Sequence, residues 1–277
     1  MIENNENGRD VLVEVKNLKT YFFLTEGIVH AVDGVNFHIE RGHTLGIVGE
    51  SGCGKSVLAH AIIKQVDPNG YIKDGKVIFE GVKASEVGLI GGVDVAYTAE
   101  GEAVAAAAIL DFKNLKPVEF KIARVRVRFP YIPTLLSFRE APPIFKVLAR
   151  LNLKPDVVLV DGQGVAHPYG CGLASHVGVI LNIPTIGVAK KPLCGEVGEF
   201  RGNQAPIILH GREVGRVLLV REKSKPIYVS VGHRVSLEDA VEIVLRCVKP
   251  GRRIPEPIRM AHQLSKTGVF KGENFNP

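Results

Sequence analysis

Three carboxylates stand where a folded chain could bring them together. Asp94 interrupts the apolar run GGVDVAY, Asp161 closes the run DVVLVD, and Glu140 lies in SFREAPP. An acid inside a buried strand must be paired, hydrogen-bonded or metal-bound, because an unpaired buried charge is costly. If the strands carrying Asp94 and Asp161 are neighbours, both acids face one pocket. Two or three carboxylates converging there form a hard-cation site for Mg2+, with Mn2+ as the other candidate, built from oxygen ligands and retained waters. Such a site activates water and stabilises charge in phosphodiester cleavage. Each acid also has a plainer reading. Asp94 could face solvent from an alternating strand, Glu140 could be a helix-surface charge beside Arg139, and Asp161 could cap a strand-to-helix turn. The stretch DGQGVAHPYGCGLASH weighs against the last by gathering Asp161, Gln163, His167 and His176 in a short span. His167 and Lys190 are donors placed where a scissile phosphate would lie; the alternatives are a His-Pro turn and a solvated strand end. His233 and His262, taken singly, read as structural.

A second chemistry is written in GESGCGKS, Gly49 to Ser56, which fits G-x-x-x-x-G-K-S/T. Gly49, Gly52 and Gly54 suit a loop whose backbone N–H groups cradle phosphates. Lys55 would reach the β/γ-phosphates of ATP and Ser56 would ligate Mg2+. The strand HTLGIVGE before it and the helix SVLAHAIIKQV after it are the context this motif requires. No LSGGQ-like signature and no apolar strand ending in Asp-Glu follows, so phosphoryl transfer lacks the acid that orients water. Nucleotide binding is compatible with the motif; ATP-driven transport is not expected.

The elements that must position these residues fall into two patterns. Residues 11–80 read as three strands, a loop, a helix and a strand. The pattern changes between Gly81 and Val87, dividing the chain into a partial P-loop segment, 1–83, and a second domain, 84–277. In the latter GLIGGVDVAYT, EAVAAAAILDF and VEFKIARVRVRF predict three meandering strands. PTLLSFREAPPIFKVLARL is helical in pattern, with Pro142-Pro143 expected to break or kink it. A strand over 156–161, a helix over 172–181, the strand PTIGVAK, a hairpin through GREVG, the strand PIYVSVGH and two helices follow. This order predicts an α/β fold, a mixed sheet of the ribonuclease H-like kind flanked by helices.

Composition sets the frame. The 277 residues suffice for two modest domains, and 45% hydrophobic with 23% charged residues is ordinary for a globular protein. The net charge of +6 is uneven: residues 1–81 hold 8 Lys/Arg against 11 Asp/Glu, leaving 27 against 18 for the rest, so the second part favours a polyanion. The four cysteines form no CxxC pair, which points to a reduced, cytoplasmic setting without structural zinc. The polar start MIENNENGRD carries no secretory pattern, and no apolar run approaches the ~20 residues of a membrane span.

Two resemblances follow from these stretches. VEVKNLKTYF, AVDGVNFHIERGHTLGIVGESGCGKS and DGKVIFEG resemble the start of the ATP-binding subunit of oligopeptide/dipeptide ABC transporters, which implies an aromatic near Tyr21 stacking on adenine. Residues 88–266 resemble endonuclease V through GGVDVAY, RFPYIPTLLSFREAP, KPDVVLVDGQGVAHPYGCGLASHVG, IPTIGVAKKPL, PIYVSVGH and GRRIPEPIRMAH. That resemblance implies that Asp94, Glu140 and Asp161 bind metal, that His167 and Lys190 act at the reacting phosphate, and that His233 sits close to the metal. It makes Pro130, Tyr131, Ile132 and Pro133 a wedge that replaces an extruded base, with hypoxanthine against Leu136, Gly162 and Leu173. Arg252, Arg253 and Lys116 or Lys121 become contacts to the phosphate backbone. The implied activity is Mg-dependent repair cleavage at the second phosphodiester bond 3′ to deoxyinosine in DNA by a monomeric nuclease domain. Inosine in RNA is the alternative substrate.

Overall fold

The computed structural model describes residues 11–63, 65–79, 81–221 and 224–268. The chain divides into two compact units, residues 1–80 and 81–277.

In the first unit, β1 (Val11–Leu24) lies between β2 (Gly27–Glu40) and β3 (Gly70–Phe79) in an antiparallel sheet. Alternation along β1 buries Val13 and Val15, and α1 (Lys55–Ile62) lays Leu58 and Ala61 against them with Leu18 and Val32. The helix expected to reach Val66 ends four residues earlier, with Lys64 outside the described residues. The strand expected over HTLGIVGE does not form: residues 43–50 carry no strand pairing and are exposed, Val48 to 93%. A short apolar strand of that type is stable when parallel neighbours cover it, and every strand pairing described in this unit is antiparallel.

The second unit is built on a nine-stranded mixed sheet. Its strands are β4 (Leu89–Tyr97), β5 (Glu102–Asp111), β6 (Pro117–Arg126), β7 (Val157–Asp161), β8 (Thr185–Ala189), β9 (Glu196–Val197), β10 (Gln204–Leu209), β11 (Arg212–Leu218) and β12 (Ile227–His233). They are ordered β6-β5-β4-β7-β8-β12-β11-β10-β9. Helices α2 (Leu136–Leu148) and α3 (Leu173–Leu181) share one core with Val93, Val158 and Val160, while α4 (Leu237–Arg246) and α5 (Glu256–Thr267) share the other with Ile90 and Leu159. Covering both faces explains why β5 and β7 read as continuous apolar runs rather than alternating ones. The alanine run of β5 lets both helix layers approach closely. Gly92 serves the same end on β4, since a Cβ there would lie 2.2 Å from the backbone of Pro257 at the start of α5.

Helix α2 runs through Pro142 and Pro143, against the expected break. Two N–H donors are lost, but Ala141, Ile144 and Val147 are buried in the core, and that packing outweighs the local preference.

Candidate active site

Strand register creates the acidic site. The carboxylate of Asp156 accepts hydrogen bonds from the N–H groups of Gly88 and Leu89, each at 2.8 Å, pinning the start of β7 to the start of β4. From there β4 and β7 run parallel with Val93 opposite Val160, so Asp94 and Asp161 emerge side by side. Helix α5 packs across β4 and adds His262, whose Nδ1 lies 2.9 Å from Asp94 Oδ2. Ser265, one turn on, donates its hydroxyl to the same oxygen at 2.8 Å. One potential ligand atom from each of Asp94, Asp161 and His262 lies within 4.8 Å of the others. These three border a cavity of about 470 Å3 together with Lys190 and Arg124.

The electrostatics of this cluster favour a cation. Burial, followed by the charges of Asp94 and Asp161, pushes the carboxyl of Glu140 on α2 up to about 8 despite the neighbouring Arg139. Burial also raises the Asp161 carboxyl, against the opposing pull of Lys190, whose ammonium donates to Asp161 Oδ2. Tyr97 at the end of β4 is raised by burial and by Glu140, while the Arg139 guanidinium stacks over its ring. A crowded, partly desolvated set of carboxylates with one imidazole fits a hard divalent cation, which would offset the repulsion. Glu140 stands outside the tight cluster but close enough for the two aspartates to oppose its ionisation.

A second, smaller cavity of about 100 Å3 gathers Tyr131, Ile132, Leu136 and Leu173 with Gln163 and His167. Pro130, Tyr131, Ile132 and Pro133 are exposed, Tyr131 to 69%. Gly162 backs this region, since a Cβ there would meet Leu173 at 3.3 Å. His167, expected at the reacting phosphate, lies on this cavity's wall with both ring nitrogens engaged. Its Nε2 faces the Thr134 carbonyl at 2.9 Å, and Nδ1 accepts from the Tyr169 N–H at 3.2 Å.

His233 is not in the acidic cluster. It pairs with Thr185 across β12 and β8, and burial, with Arg234 beside it, lowers its pKa. The histidine at the carboxylates is His262, which sequence reasoning set aside as structural. The available signal was its i,i+3 spacing to Ser265 on one face of the last helix. Arg253, expected at phosphate, donates to the carbonyls of Lys190 and Pro226, bracing the strand end that carries Lys190. Lys121 is paired with Glu119 at 3.2 Å, whereas Arg252 and Lys116 are exposed.

In the P-loop, Gly49, Gly52 and Gly54 all adopt positive φ, and Ser56 sits in the first turn of α1. Lys55 Nζ donates to the carbonyls of Gly49 and Glu50 at 2.8 and 2.6 Å. The ring of Tyr21 stacks on His30 at 3.9 Å, and its hydroxyl donates to Asp33 at 3.0 Å.

The second unit is therefore a ribonuclease H-like α/β domain with an acidic, cation-suited site where adjacent parallel strands end. Residues 73–263 match the family model of endonuclease V, and residues 32–105 match that of the ABC transporter. The two ranges overlap, but β4 and β5, from Leu89 onward, are strands of the nine-stranded sheet. Endonuclease V of Thermofilum pendens is 47% identical over 181 residues, covering 65% of this chain and 77% of the relative. That of a Nostoc species is 46% identical over 194 residues, covering 69% and 87%. The crystal structure of the Streptomyces avermitilis endonuclease V superposes with a TM-score of 0.63 at 42% identity, covering 68% of this chain and 84% of that one. The Ciona intestinalis enzyme, solved with a DNA containing an inosine followed by a ribo-adenosine, gives 0.62 at 34%, covering 69% and 90%. The chain belongs to the endonuclease V family.

Proposed function

We propose that this protein is a divalent-cation-dependent repair endonuclease that cuts inosine-containing DNA at the second phosphodiester bond 3′ to the lesion, leaving 3′-hydroxyl and 5′-phosphate ends. The observation that carries the reading is the convergence of Asp94, Asp161 and His262 on one cavity. The cleavage position is taken from the motif resemblance.

On this reading Asp94, Asp161 and His262 would hold the cation, and Glu140, its ionisation opposed by the two aspartates, would be a further carboxylate for it. A bound Mg2+ or Mn2+ would supply Lewis-acid stabilisation of charge on the phosphate and activation of water. Lys190, held by Asp161, is positioned to turn its ammonium toward a phosphate oxygen. The wedge Pro130–Pro133 fills the gap in the stack, and the extruded base enters the cavity between Leu136 and Leu173, near Gly162 and His167. Unstacking costs a few kcal/mol and is least for a damaged pair, which contributes selectivity.

A labelled duplex with a single deoxyinosine should be nicked by the wild type in Mg2+ or Mn2+ and left intact in chelator. Asp94→Ala and Asp161→Ala should abolish the nick. Equal cleavage by wild type and both variants would sink the proposal. The ribo-adenosine in the Ciona complex favours a second reading, inosine in RNA. Competition between matched DNA and RNA duplexes decides between them.

A further inference from the structure

We propose that Arg124, Arg126 and Arg128 form a ladder gripping successive phosphates of the nucleic-acid strand that passes from the carboxylate site toward the Tyr131 loop. The inference rests on the nuclease reading above and adds a binding surface to it. Strand β6 is one edge of the nine-stranded sheet. Arg124 and Arg126 on it, and Arg128 two residues beyond, are exposed, whereas Ala123 is buried and Val125 and Val127 are half-buried. The same exposure pattern continues to Arg128 just past the strand's end, and within β6 the alternation sets Arg124 and Arg126 on one face. It is the face of Asp94: Ala96 pairs with Val104 and Val104 with Arg124, which places Arg124 one two-residue step beyond the row of Asp94. Arg124 also borders the cavity shared by Asp94, Asp161, Lys190 and His262, with Lys266 on its rim. Beyond Arg128 the chain enters the Phe129–Pro133 loop directly.

Steps of two residues along a strand cover about 6.8 Å, comparable with the separation of neighbouring phosphates along one nucleic-acid strand. Guanidinium forks suit phosphate oxygens in pairs. The described acid contact of this row is Glu102 to Arg124 at 3.4 Å, with both side chains well exposed. Such a pair contributes little and yields readily to a phosphate. The plainer role for charges here is protection of an open sheet edge against pairing with other chains.

The test is anisotropy of a fluorescein-labelled deoxyinosine duplex with the full chain, without divalent cations, from about 50 to about 300 mM KCl. Each Arg→Gln change should lower the slope of log K against log salt by roughly 0.9, and Arg→Lys should retain it. The single variants Arg126→Gln and Arg128→Gln carry the test if Arg124→Gln, at the cavity, fails to fold. An unchanged slope in the glutamine variants, with self-association in its place, would overturn the ladder in favour of edge protection. The expected slope losses in the glutamine variants, with no inosine nicking by the wild type in Mg2+, would support the ladder and sink the nuclease reading alone.

Discussion

At the scale of single residues, Glu140 is the group whose environment departs most from that of a free carboxylate. Its pKa near 8 in the folded chain stands against 4.5 in the unfolded one, with burial as the leading cause and the two aspartates next. The folded state therefore holds a proton that the unfolded state has lost between those values. Stability without metal should fall as pH rises from about 4.5 to about 8 and level off above, by no more than roughly 5 kcal/mol. Glu140→Gln should flatten that dependence in thermal melts with chelator, and saturating Mg2+ should flatten it in the wild type. Retention of the full wild-type slope by Glu140→Gln would show that another group is responsible. His262 makes a separate claim, because it is the imidazole that meets Asp94. His262→Ala should raise the Mg2+ concentration for half-maximal nicking by roughly 10–100-fold, whereas His233→Ala should leave it unchanged.

At the scale of elements, the site depends on the register between β4 and β7. Asp156 holds two backbone N–H groups of the β4 start, and a one-residue slip would turn Asp94 and Asp161 to opposite faces. Asp156→Ala should cost about 1–3 kcal/mol in urea unfolding and reduce nicking beyond what stability loss explains; native stability in that variant would show that the apolar core alone sets the register. The sequence made the two aspartates legible because each interrupts or closes an apolar run long enough to be a buried strand. It hid His262 because that contact spans 168 residues and exists only once α5 folds back across β4. Taken locally, a lone histidine on an amphipathic helix reads as structural. The Pro-Pro pair does not break the helix for a related reason, since core packing of Ala141, Ile144 and Val147 holds a helix that local preference would end. HTLGIVGE failed in the other direction. Its apolar pattern is that of a strand, but a strand is made by its neighbours, and none of the described strands pairs with it.

For the whole molecule, the consequential fact is that each unit has its own core. Among the described residues, Val13, Val15, Leu18, Val32, Leu58 and Ala61 form the buried core of the first, and the buried cores of the second draw on residues 84–264. A sheet of three strands with one helix across it is marginal by itself, whereas a nine-stranded sheet covered on both faces buries ample apolar surface. The first unit also leaves Phe23, Leu24, Ile28, Leu45, Ile47 and Val48 exposed, and its P-loop lysine is held by its own loop carbonyls. Urea should therefore unfold the chain in two steps, the first at low denaturant with a shallow slope, because little surface is gained there. Millimolar ATP should move that first step little, since a ligand stabilises only in proportion to its binding, and Lys55→Ala should leave it where it is. Limited proteolysis should release a resistant fragment beginning near Gly81, and that fragment should nick deoxyinosine duplexes at the rate of the full chain. A single cooperative transition, together with an insoluble or inactive fragment, would show that the nuclease fold depends on the first 80 residues.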